Sequence, residues 1–167
     1  QLFPAGNTAG GDALSLAILD EAIDAVDGPT HLIMNKKMRN LLSQAAKKAD
    51  VAGNLEWFKD DFGNRVAFYN DLPILVTDYN DQNEQIIGFN ESAPGGGADE
   101  ATSVYVVSIG DEGVMGLQNG PMDVEDLGEI DSQPVLRTRL EWLISMAVLS
   151  GRAAARVWGI SNAAIVS

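Results

Sequence analysis

The sequence predicts an α+β fold. Two segments, 12–26 and 35–49, repeat apolar residues at spacings of three and four, the period of a helix with one buried face. Around them come short runs rich in β-branched and aromatic residues, punctuated by Gly, Pro and Asn, which read as strands and turns. A hydrophobic fraction of 46% over 167 residues suffices for one compact core, or for two small subdomains sharing one.

In the first helix Leu16, Leu19, Ile23 and Val26 form the apolar stripe, Asp12 is the expected N-cap, and Asp27-Gly28-Pro29 ends it. Asp20, Glu21 and Asp24 fall mostly opposite that stripe and read as a solvated face. Residues 30–34 read as a short buried strand, after which Asn35 caps a second helix that buries Met38, Leu41, Leu42, Ala45 and Ala49. A polar, aromatic loop is expected over 54–64, then strands over 66–69 and 74–77 joined by a tight connection at 70–73, and a further short strand over 86–89. Residues 92–98 hold three consecutive glycines and read as a mobile tip.

The runs 103–109 and 114–117, separated by a Gly-flanked turn at 110–113, read as a hairpin. Over 135–142 strict alternation sends Thr138, Leu140 and Trp142 to one side and Arg137, Arg139 and Glu141 to the other, the pattern of a half-buried strand. Its continuation, 143–149, loses the alternation and is expected to be buried on both faces. Residues 153–160 then run back as a closing strand, and no internal repeat or heptad run is present.

Charge is segregated along the chain. Residues 1–65 carry seven basic and nine acidic groups, 66–131 carry no Lys or Arg and fourteen Asp or Glu, and the remainder carries four Arg and only Glu141. The total is −13, with a pI near 4.2, so the field of the whole chain repels nucleic acid and anionic membranes. Such segregation produces either a solvated acidic face or complementary surfaces on neighbouring copies of one chain. Lys36, Lys37, Arg39, Lys47 and Lys48 form the one cationic cluster on a predicted helix, without interleaved aromatics for base stacking. The opening Gln-Leu-Phe-Pro-Ala-Gly has neither an initiator Met nor the parts of a signal peptide, and reads as the start of a trimmed chain.

The motifs of common chemistries are scarce. There is no Cys and only one His, His31, so no thiolate nucleophile, disulfide framework or multi-histidine metal cluster is available. His31 opens an apolar strand, and no Gly-x-Ser-x-Gly elbow accompanies it. The acidic run from Asp78 has Asn83 and Phe89 where a calcium loop needs Gly and Glu, and reads as an exposed turn. Gly110, Gly113 and Gly116 lack the Gly-Lys-Ser/Thr end of a phosphate loop. Adjacent acids such as Asp60-Asp61 and Asp111-Glu112 leave a carboxylate-dependent hydrolase open as one alternative. No catalytic, cofactor-binding or metal-binding residue is assigned.

The order of features resembles the major capsid proteins of tailed bacteriophages, the Hong Kong 97-like fold. The residues that carry the resemblance are the amphipathic helix over 14–26, Pro29-Thr30-His31-Leu32-Ile33-Met34-Asn35 leading into a helix with Arg39, and Tyr69-Asn70-Asp71-Leu72-Pro73, with Asp71 where Gly is usual. They continue through 103–110, Asp126-Leu127-Gly128-Glu129, Arg137 to Trp142, and Trp158-Gly159-Ile160, so the resemblance spans roughly 12–162. It implies an axial domain over 29–120, with a central sheet flanked by helices, and a discontinuous peripheral domain over 10–28 and 121–162, with a long spine helix and β strands. The family's N-terminal arm and extended two-stranded loop, which precede the spine helix, are not in this sequence.

What the resemblance implies about function is a coat protein. Its copies would form the pentamers and hexamers of an icosahedral phage or prophage head, in the virion and, during assembly, in the host cytoplasm. Its partners would be other copies of itself, scaffolding, portal or decoration proteins, and packaged DNA indirectly, with no membrane and no cofactor. Candidate inter-subunit contacts are Arg137, Arg139 and Glu141 on the alternating strand, with Lys36, Lys37 and Arg39 on the second helix. An encapsulin-like compartment shell, which shares the fold, is the alternative.

Overall fold

A computed structural model describes residues 1–47, 55–59, 63, 65–130 and 133–166. The buried strand expected at 30–34 is β2 (His31–Asn35), and a seven-stranded sheet is built around it. The other members are β1 (Leu2–Pro4), β3 (Leu55–Lys59), β4 (Arg65–Tyr69), β5 (Leu72–Thr77), β6 (Thr102–Val107) and β11 (Ala154–Ile160). Their order is β1-β11-β6-β2-β5-β4-β3, with β2 parallel to β5 and antiparallel to β6. Leu32, Met34, Ile74, Val104, Val106 and Val157 share one fully buried face, covered by α1 (Leu16–Asp24), which packs on β11, and α2 (Lys36–Ala45), which packs on β2 and β5. Segments from both ends of the chain thus join the sheet and core that β2, β5 and β6 build.

Asn35 ties the sheet to α2. Its side-chain oxygen accepts the Met38 amide hydrogen at 2.7 Å, the N-cap bond expected, and its Nδ2 donates to the buried Thr102 hydroxyl at 3.0 Å. Met38, Leu42 and Ala45 are buried with Leu41 packed beside them, while Ala49 and Lys48 lie outside the described residues.

The first helix is shorter than its periodicity and is no long spine. It has nine residues and begins after Ser15, because Asp12 and Ser15 bridge to Ile160 and Val166 and hold 12–15 extended. Asp12 is therefore not the cap. Hydrogen bonds from the Thr8 side chain and amide, the latter 2.9 Å long, hold its carboxyl below the usual aspartate value. Asp20 is not simply solvated either, since it accepts the Tyr69 hydroxyl at 2.8 Å and Asn70 Nδ2 at 2.9 Å, pinning α1 to the β4–β5 turn. That turn is two residues long, with Asn70 and Asp71 at φ of 46° and 63°, the pair of positive values a type I′ hairpin demands.

Three further expectations are corrected. Residues 55–59, expected in a loop, pair with β4 from Leu55↔Tyr69 to Lys59↔Arg65, and Phe58 meets Phe68 edge to face at 5.2 Å. Residues 86–89 form no strand: Asn80 accepts the amide hydrogens of Gln82 and Glu84, closing the acidic turn that precedes them, and one bridge, Tyr79↔Gln85, follows. The glycine-rich stretch 92–98 is docked rather than a free tip. The Gly10 amide donates to Gly96 O at 2.8 Å, and a Cβ on Gly95 would stand 2.3 Å from Asn7 O. Gly95→Ala is therefore expected to lift this stretch off 7–10 at a cost of about 1–3 kcal/mol. Urea unfolding and hydrogen exchange at the Gly10 amide measure it, and unchanged values in both would refute the docking.

The largest departure begins after β6. β7 (Val114–Gln118) does not return along β6 but pairs antiparallel with β10 (Ile144–Val148), and beyond them β8 (Asp123–Ile130) pairs antiparallel with β9 (Gln133–Glu141). The two pairs lie end to end, joined by the Asn119 amide donating to Leu143 O at 3.1 Å. Together they form a two-stranded arm with a contour length of about 55 Å at ~3.4 Å per residue. An extended two-stranded element thus follows β6.

Candidate assembly surface

The arm carries its apolar residues in the open. Leu136, Leu140 and Met146 are 70%, 66% and 71% exposed, and more than half of the large apolar side chains left exposed among the described residues lie on this arm or its joints. β9 is therefore not half-buried by its own chain, and 143–149 is not buried on both faces. The alternation predicted a side that must leave water, but a two-stranded ribbon with no layer against it has two wet faces. The whole chain exposes 10482 Å², against about 8,000 Å² expected of a compact monomer of 17.8 kDa. The excess is the size of a specific protein–protein interface.

Arg137, Arg139 and Glu141 sit on β9, exposed, with Arg139 ion-paired to Glu141 and opposite Glu125 in register. Glu141 in turn faces Asp123, a like-charge cross-strand pair that disfavours the isolated ribbon and favours a cation brought from elsewhere. Arg137 makes no ion pair among the described residues.

Lys36, Lys37 and Arg39 are brought together elsewhere, on the first turns of α2. Lys36 Nζ is 3.9 Å from Asp78 and both are exposed, so that pair contributes little. Lys37 projects into solvent, while Arg39 is half-buried, donates to Asn40 Oδ1 at 3.0 Å, and leaves its buried Nε without a partner. Between α2 and the segment 77–89 runs a groove of about 360 Å³, walled by Leu41, Tyr79, Ile87 and Phe89 with Lys36 and Lys37 on its rim.

One charged cluster was not singled out by the sequence. On the sheet face away from the helices, Arg156 of β11 donates to Glu91 Oε2 and to Ser103 Oγ at 2.8 and 2.9 Å, Ser103 also bonds Glu91, and the guanidinium lies 5.8 Å from the Tyr105 and Trp158 ring centres. Its clue was Arg156 alternating with Ala155 and Val157, but the partner Glu91 comes from a loop 65 residues away.

The His31 ring bonds the Thr30 hydroxyl at 3.0 Å, and no group of His, Asp or Glu that could hold a metal ion occurs among the described residues. Asp111 and Glu112 lie exposed on the turn at the arm's base, and Asp60 and Asp61 lie outside the described residues. No helix among the described residues is long and apolar enough to cross a membrane.

No family model and no curated protein matches the sequence. Among solved structures the chain is similar to a chain of the holo-SrpI encapsulin complex from Synechococcus elongatus, at 18% identity and a TM-score of 0.68. The match covers 100% of this chain and 55% of that one, so this chain spans about half the length of its structural neighbour. At that identity the likeness bears on architecture alone: the described residues of this chain form a mixed α+β fold, mostly sheet with two helices, that is similar to part of an encapsulin chain.

Proposed function

We propose that the protein is a structural subunit of a self-assembling shell, and that the shell is an encapsulin-like compartment. The observation that carries the proposal is the arm: a ribbon with many exposed apolar side chains and no layer over it among the described residues. An exposed ribbon of this length is a liability for a monomer and an asset for a subunit whose neighbours cover it. The fold shared with an encapsulin chain supports the same reading. Arg137, Arg139, Glu141, Lys36, Lys37 and Arg39 belong to the proposal as inter-subunit contacts, and no reaction is part of it.

A second reading, the coat of a phage or prophage head, is favoured by the order of sequence features around Asn35, 69–73 and 137–142. One experiment separates the two. Shells isolated from cells expressing the gene would be imaged by electron microscopy, then assayed for nuclease-protected DNA and for co-purifying protein. A compartment is expected to hold a stoichiometric protein and no protected DNA, whereas a phage head would hold the reverse. Light scattering that reports monomer at every concentration would remove both.

A further inference from the structure

We infer that the groove beside α2 receives the outer edge of β8 from a second copy of this chain. The inference rests on the self-assembly reading and deepens it by naming the two surfaces that meet.

β8 pairs with β9 along one edge and has no partner strand along the other among the described residues, so a row of backbone groups is open to a neighbour. The strand carries Asp123, Glu125, Asp126 and Glu129 with no basic residue, and between them Val124 and Leu127 are 60% and 47% exposed. The groove has apolar walls, Leu41, Tyr79, Ile87 and Phe89, and at its rim Lys36, beside Asp78, and Lys37, which has no ion pair among the described residues. Three acids elsewhere are engaged within the chain, Asp27 with Arg152, Glu91 with Arg156, and Asp20 with Tyr69 and Asn70.

Topology makes the contact one between copies. β2 begins at His31, opposite Val107, just before the turn from which the arm springs, and it ends at Asn35, the cap of α2 beside the groove. The arm's root and the groove therefore lie at opposite ends of the central strand. Two different, complementary patches on one chain make a head-to-tail contact, the kind that builds rings where its rotation closes and filaments where it does not.

Two double variants and their combination test this, each followed by light scattering and electron microscopy across a range of protein concentrations. Lys36→Glu with Lys37→Glu reverses the two rim lysines, and it costs folding little because acids suit the first turn of a helix and the Lys36–Asp78 pair it gives up is exposed and weak. Asp123→Lys with Glu129→Lys removes the strand's net negative charge, places a lysine near each end to face the reversed rim, and relieves the repulsion between Asp123 and Glu141. Each double variant is expected to raise the concentration needed for assembly about tenfold or more, and the quadruple variant to restore it. Either double variant assembling like the wild type, or a quadruple variant that stays as defective as the doubles, overturns this contact and leaves the shell reading standing. A wild-type chain that never assembles overturns both.

Discussion

Replacing Leu140 and Met146 by aspartate is expected to leave a folded chain that no longer assembles. Both side chains stand in water in the single chain, at 66% and 71% exposure, so their loss costs the fold little, within about 0.5 kcal/mol each. In an assembly whose neighbours cover the arm, each would contribute about 1.5–3 kcal/mol of apolar burial, and a carboxylate in its place adds a desolvation cost. Association should weaken by a factor of about 10² to 10⁴ or more. Sedimentation velocity reads the assembly state, and thermal unfolding reads the fold. Shells forming at the wild-type concentration would show that the arm is not the contact surface. A lower melting temperature with assembly intact would place these side chains in a core instead.

The converse is expected of Leu32→Ala. Leu32 is fully buried at the centre of the sheet, between β5 and β6 and beneath α2. Its truncation leaves a cavity that the surrounding strands, held in register on both sides, cannot collapse into, and the cost should be about 2–5 kcal/mol. That is a large share of the roughly 5–15 kcal/mol that stabilises a typical domain. Because assembly adds stability by mass action, urea unfolding is best measured in the Leu140→Asp, Met146→Asp background, where the monomer is isolated. A loss under about 1 kcal/mol would mean that the centre of the core lies elsewhere.

These two variants separate what local pattern can and cannot show. The Asn35 cap, the burial of Met38, Leu42 and Ala45, the Asn70-Asp71 turn and the closing strand β11 were all legible, because each depends on residues a few positions apart. The first helix was overread because helical spacing extends past the point where Asp12 and Ser15 pair with residues near the C-terminus. The Arg156–Glu91 pair and the docking of 92–98 on 7–10 escaped for a related reason, since the partners are far apart in sequence and nothing local marks them.

The candidate surface was half legible. Alternation over 135–142 correctly separated Arg137, Arg139 and Glu141 from the apolar side, and charge segregation raised the possibility of complementary surfaces between copies. What the sequence determined by itself is local: an α+β chain, where helices start after good caps, where chains turn, and which residues prefer to leave water. Only the tertiary structure decided that 114–148 departs from the sheet as an arm, that β7 pairs with β10 instead of β6, and that the apolar side of β9 finds no cover among the described residues. The physical reason is that hydrophobic burial is non-directional. A period of two specifies that one face must be covered, and strand pairing across the whole chain decides whether the cover is the same molecule or another.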